Sequence, residues 1–218
     1  MSQLAPEIVP LDATDLLPFV PTAADRRSFR TLGHAHLDDL WDTGFRDRLA
    51  DEARERRTHA RVPDAGPRTP VEGRRRVRKP TPAATGPLLS RLHVSMTGVA
   101  RTLSGRLLVP SFSSYGYYEG DDEVLLHLDT ADCDVTLLTT ALGRVGPLHL
   151  RPELRGRAMA ELGRLEDDVT WDRHGGVQVD YPRLGLTALA GNTVPHNRPG
   201  RPITEPSAVA ALCYRALF

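Results

Sequence analysis

The sequence predicts an α+β domain in which helices come first and an antiparallel β-sandwich or barrel follows. Three observations carry this expectation. From Ala23 to about His59, apolar residues recur at three- and four-residue steps, with acids and arginines on the other face. The same spacing returns from Pro87 to about Leu107. After Val109 the chain changes to short runs rich in Val, Leu, Thr and Tyr, separated by Gly, Pro and Asp. At 218 residues the chain is long enough to bury a sizeable core.

Taken in order, residues 1–60 read as an irregular Pro-containing start followed by supporting helices. Leu32, Leu37, Leu40, Trp41, Phe45 and Leu49 form the apolar stripe, with a break expected near Gly33 or Gly44. Residues 61–86 form a basic Pro/Arg-rich loop. Seven bases there (Arg61, Arg68, Arg74, Arg75, Arg76, Arg78, Lys79) oppose Asp64 and Glu72. With few large apolar side chains, the stretch is expected either to be a solvated loop or to act as a cationic flap over an anionic substrate. Residues 87–218 then supply a core helix, with Leu88, Leu89, Leu92, Met96, Val99 and Leu103 on its apolar face, and the β-barrel. The runs VLLHLD, VTLLTTAL, PLHLRP, VTWD, VQVDY, LTALAG and AVAALCYRALF are the expected strands, and RPELRGRAMAELGRL the one helical interruption. The three segments are expected to make one structural domain.

Composition excludes several chemistries. There are 28 basic and 28 acidic residues, so no whole-surface field draws the chain to nucleic acid or an anionic membrane. Lys79 is the single lysine, which leaves no GxxxxGK phosphate loop and argues against Schiff-base chemistry. Cys133 and Cys213 lack any paired spacing and read as buried thiols of a reducing cytoplasm. The first residues, MSQLAPEIVP, have neither a basic n-region nor an apolar h-region, and no apolar run approaches the ~20 residues of a membrane helix. A cytoplasmic location follows as the expectation.

Of eight histidines, His34 and His36 lie in or near the first helix, and they, His59 and His93 are expected at surface or helix-end positions. His149 and His174 are ambiguous. His127 and Asp129 differ, because in VLLHLDT they stand two apart on a strand and project from one face, with Leu126 and Leu128 opposite. An imidazole beside a carboxylate suits a divalent first-row metal, and two histidines plus one carboxylate with open positions is the ligand set of non-haem Fe(II) oxygenases. His196, in GNTVPHNRPGR, is the candidate third ligand. The alternative is a barrel histidine with Asp129 capping a turn in an acidic loop.

The stretch YGYYEGDDEVLLHLDTADCDVTLLTTALGRVGPLHLRPE resembles the core of the Fe(II)- and 2-oxoglutarate-dependent oxygenases, in particular their prolyl-hydroxylase-like branch. A tyrosine-and-glycine turn leads into a strand bearing H-x-D. A T-L-L strand and a G-x-L strand ending in proline follow, and a second histidine precedes a basic residue and a last apolar strand. Residues about 112–218 match that order. The resemblance implies a double-stranded β-helix (a jelly-roll, cupin-like barrel), Fe(II) on His127, Asp129 and His196, and 2-oxoglutarate and O2 as co-substrates. It also implies an arginine for the far carboxylate of 2-oxoglutarate. The family places that arginine about ten residues after the second histidine, where this chain has Pro206. Arg201 is the first substitute, ahead of Arg215 and Arg198, and Tyr118 of the tyrosine turn is a further co-substrate contact. Asp129 fills the position where a Gly, Ala or Ser would admit halide, so hydroxylation or a related oxidation is expected, not halogenation.

The expected substrate is a small molecule, an amino acid or natural-product intermediate, with an anionic group left open by the basic loop. Two readings stand beside it: an oxygenase of the same fold acting on nucleic acid or protein, and a non-catalytic β-barrel binding module. The lack of aromatics in RRRVRK counts against nucleic acid.

Overall fold

A computed structural model describes residues 11, 15–60, 85–120 and 122–218. Most of the basic loop expected at 61–86 lies outside the described residues. The described elements are α1 (Ala23–Leu32), β1 (His34–Leu37), α2 (Thr43–Arg57), α3 (Pro87–Ser95), α4 (Thr97–Ser104), β2 (Leu108–Gly120), β3 (Val124–His127) and β4 (Val135–Leu142). They continue with β5 (Leu148–Leu150), α5 (Met159–Asp167), β6 (Val177–Val179), β7 (Leu186–Leu189), β8 (His196–Arg198) and β9 (Ile203–Ala216).

Local chemistry sets the helix ends. Thr22 and Asp25 form a reciprocal capping box at the start of α1. Gly33 ends it in the left-handed region at φ 83°, which a glycine adopts without cost. The Asp42 carboxylate accepts from Phe45 N–H (2.7 Å) to start α2. The start of α3 is capped from outside the helix. The Glu52 carboxylate of α2 accepts from the Leu88 and Leu89 amides (2.7 and 2.9 Å) and from the Tyr115 hydroxyl (2.8 Å). One buried side chain thus joins α2, α3 and β2.

All strand pairs are antiparallel and fall into two sheets, β1-β7-β4-β9-β2 and β3-β8-β5-β6. Alternation assigns the faces of the larger sheet. Tyr115, Tyr117, Leu137, Leu186, Ala188, Ala210, Leu212 and Tyr214 pack with Trp41, Phe45, Leu49, Leu92 and Leu103 of the helical side. Tyr118, Leu138, Leu189 and Val209 face the smaller sheet and meet Leu148, Leu150 and Val179. The larger sheet is therefore the middle layer, with helices on one side and the small sheet on the other. The α+β expectation holds, and the helix at 87–107 is present as α3 and α4, joined at Met96.

Two expectations are corrected. The stretch 23–59, read as helical, is interrupted by a strand at His34–Leu37. The turn at Gly33 releases the chain into β1, which pairs residue by residue with β7 from His34–Leu189 to Leu37–Leu186. VTWD is not a strand either. Residues 169–172 form a turn, in which Trp171 lies against the Arg151 guanidinium (Cζ 4.6 Å from the ring centre).

Candidate metal centre

β3 and β8 run side by side in the small sheet, and their register sets His127 directly opposite His196. The two rings lie 4.3 Å apart, centre to centre. Asp129 follows two residues after His127, where the chain leaves β3, and its amide donates to the Gly191 carbonyl (2.9 Å). The His127 and His196 Nε2 atoms each stand 3.5 Å from Asp129 Oδ1. The three residues singled out by their sequence pattern therefore converge, with one ligand atom from each within 4.8 Å of the others.

Hydrogen bonds orient each of these groups. His127 Nδ1 lies 2.8 Å from the Leu125 carbonyl and His196 Nδ1 lies 2.9 Å from the Val194 carbonyl. A carbonyl only accepts, so each Nδ1 carries a hydrogen, and in the neutral ring each Nε2 has its lone pair toward Asp129. Such support of the second ring nitrogen is what metal-binding histidines ordinarily have. Asp129 Oδ2 accepts from the Thr136 hydroxyl (2.7 Å). A Cβ on Gly191 would overlap the Asp129 carboxylate, so only glycine fits behind it.

The electrostatics agree with a cation site. Burial opposes ionisation of Asp129, but His196 and His127 outweigh it and hold the carboxyl far below the usual carboxylate range. Burial likewise opposes charge on His196, yet the facing Asp129 carboxylate raises its pKa. Two imidazole lone pairs and a carboxylate oxygen aimed at one point repel each other unless a proton or a metal ion lies between them. The donor set, two nitrogens and one carboxylate oxygen, fits Fe(II).

The three arginine candidates fall in different places. Arg201 is exposed, its side chain against Gly146. Arg215 is exposed on β9 beside Asp132 (3.9 Å). Arg198 is buried, 2% exposed, on the same strand and the same face as His196. Its Cζ stacks 3.4 Å from the centre of the Tyr118 ring, and Nη1 and Nη2 have no hydrogen-bond partner among the described residues. Burial raises the hydroxyl pKa of both Tyr118 and Tyr181, with the Arg198 charge opposing it in each case.

Sequence reasoning missed Tyr181, Thr136 and Gly191. Thr136 sits in the T-L-L strand used for the resemblance, but its inward direction depends on a strand register that one sequence does not reveal. His149 is fully buried on β5, with Nδ1 3.1 Å from the Gly175 carbonyl, and takes no place in the cluster. His93 bonds the Cys213 carbonyl through Nε2 (2.7 Å) and is structural.

No protein family and no curated protein matches the sequence. Solved structures do. The epimerase SnoN in complex with Fe3+, alpha ketoglutarate and nogalamycin RO superposes with a TM-score of 0.67 at 15% identity, covering 88% of this chain and 82% of that one. HygX from Streptomyces hygroscopicus, with nickel and 2-oxoglutarate bound, gives 0.64 at 14% identity, covering 91% and 89%. A Trichoplax adhaerens prolyl hydroxylase in complex with a hypoxia inducible factor peptide fragment gives 0.62 at 14% identity, covering 88% and 87%. The fold is thus the double-stranded β-helix that these structures share. No helix among the described residues is long and apolar enough to cross a membrane.

Proposed function

We propose that this protein is an Fe(II)- and 2-oxoglutarate-dependent oxygenase that oxidises a C–H bond of a small molecule. The observation that carries the reading is the convergence of His127, Asp129 and His196 with an unpaired buried cation, Arg198, on the strand of the second histidine. Bound iron, 2-oxoglutarate and O2 supply the oxidising chemistry. The chain supplies position: His127 Nε2, His196 Nε2 and Asp129 Oδ1 are the metal ligands, their orientation fixed before any ligand arrives.

Arg198 takes the co-substrate anchor, in preference to Arg201 and Arg215. Residues i and i+2 of a strand lie roughly 7 Å apart on one face. That spacing, plus the reach of the side chain, suits a guanidinium gripping the far end of a dicarboxylate whose near end is at the metal. The fork of Nη1 and Nη2 matches a carboxylate, and the Tyr118 ring beneath it fixes its plane. A buried guanidinium without a hydrogen-bond partner is costly and calls for an anion. Arg201 and Arg215 face solvent and have no such need.

A small-molecule substrate is supported by SnoN, whose solved complex contains nogalamycin RO. Asp129 fills the third ligand position, in keeping with hydroxylation or a related oxidation. The test is succinate formation from 2-oxoglutarate in the presence of Fe(II) and O2, followed by a substrate screen for its stimulation. Iron-dependent succinate is expected from the wild type. Its absence, in protein shown to have bound iron, would overturn the proposal.

A further inference from the structure

Asp129 is the one ligand of the three that does not sit on a strand; it stands two residues past the end of β3, so something else must hold its carboxylate. Building on the metal-site reading above, we infer that Thr136 is the positioning residue that fixes Asp129 to ligation through Oδ1 alone. A hydroxyl has one hydrogen and a carboxylate only accepts, so the 2.7 Å contact sends the Thr136 proton to Oδ2 and leaves Oδ1 facing both Nε2 atoms. The holder is itself rigid. Thr136 is 4% exposed and lies on β4 between two paired neighbours, opposite Leu189 of β7 and Cys213 of β9. Its β-branched side chain has little χ1 freedom, and Cys213 Sγ stands 3.8 Å behind the hydroxyl oxygen.

On the other side, the Gly191 carbonyl accepts from the Asp129 amide, and the space where a Cβ would stand on Gly191 is filled by the carboxylate. The carboxylate is therefore clamped between a strand and a loop. Without the hydroxyl the carboxylate would be free to rotate, and Oδ1 would no longer be held at the point that both Nε2 atoms face.

The experiment titrates Co(II), a spectroscopic substitute for Fe(II), into the metal-free full chain and its Thr136→Val and Thr136→Ser variants. Affinity and visible ligand-field absorption are both read, and circular dichroism checks folding. Val keeps the shape and removes only the hydroxyl; Ser keeps the hydroxyl. The expected result is an affinity loss of roughly 10- to 100-fold and an altered spectrum for Thr136→Val, with Thr136→Ser at the wild-type values. If Thr136→Val does not fold, Thr136→Ala against Thr136→Ser carries the same comparison. Equal affinity and spectrum in wild type and Thr136→Val would overturn the inference, as would a Ser variant that loses as much as Val. A wild-type protein that binds no Co(II) would instead overturn the metal-site reading, and this inference with it.

Discussion

The Arg198 guanidinium carbon stands 3.4 Å from the centre of the Tyr118 ring, and both terminal nitrogens lack a hydrogen-bond partner among the described residues. Stacking on an aromatic face offsets part of the desolvation of the cation and leaves the in-plane N–H groups available to a planar anion. Replacing Arg198 with alanine is expected to raise the dissociation constant for 2-oxoglutarate by roughly 10- to 100-fold, the worth of a charge-assisted pair. Arg201→Ala and Arg215→Ala should leave it unchanged. Calorimetric titration of the three variants checks this, and a loss confined to Arg201→Ala or Arg215→Ala would move the anchor.

Gly191 gives a second test. Its Cβ would overlap the Asp129 carboxylate, and its φ is not in the left-handed region, so alanine acts there through contact with the ligand alone. Gly191→Ala should weaken metal binding by roughly 10-fold or more. The unfolding midpoint of the metal-free protein should shift less than that of the metal-bound protein. Equal shifts in the two would show that Gly191 serves the loop and not the ligand.

The raised pKa of His196 fixes the sign of a pH effect. In the metal-free protein the charged imidazole faces Asp129. Stability from that contact is fully present below the unfolded value near 6.5 and is lost as pH rises through the higher folded value. Metal binding displaces that proton, so acid weakens it. The increase in melting temperature on adding Co(II) should therefore be larger at pH 8 than at pH 6. A gain that shrinks as pH rises would contradict the assignment of His196 as a ligand.

Glu52 tests the fold separately from the site. Its carboxylate serves two amides at the start of α3 and the Tyr115 hydroxyl, and burial together with that carboxylate pushes the Tyr115 pKa far up, keeping the phenol a donor. Glu52→Ala leaves these donors unmet at a cost of about 3 kcal/mol in denaturant unfolding. Metal affinity of the folded fraction should not change.

Much of this arrangement was legible in the sequence because it follows from period alone. The pattern of VLLHLDT singled out His127 and Asp129, although β3 ends at His127 and Asp129 is held from outside the strand by Gly191 and Thr136. The apolar run in 203–216 became β9, the strand paired on both sides in the larger sheet. What escaped was set by tertiary contact. β8 is three residues long, between Pro195 and Pro199, too short to show a period; the inward direction of Arg198 comes from pairing with β3 and β5. His34–Leu37 forms a strand because β7 offers a free edge, against a helical spacing of leucines that continued through it. VTWD has the composition of a strand, but Trp171 is used against Arg151 instead.

The central claim is that His127, Asp129 and His196 hold one iron ion to which 2-oxoglutarate binds. Anaerobic titration of Fe(II), and then of 2-oxoglutarate with and without Fe(II), tests it without knowledge of the substrate. One equivalent of Fe(II) in the wild type, tighter 2-oxoglutarate binding when iron is present, and loss of both in His127→Ala, Asp129→Ala and His196→Ala are the expected results. Wild-type iron affinity in Asp129→Ala, or 2-oxoglutarate binding indifferent to iron, would contradict the claim.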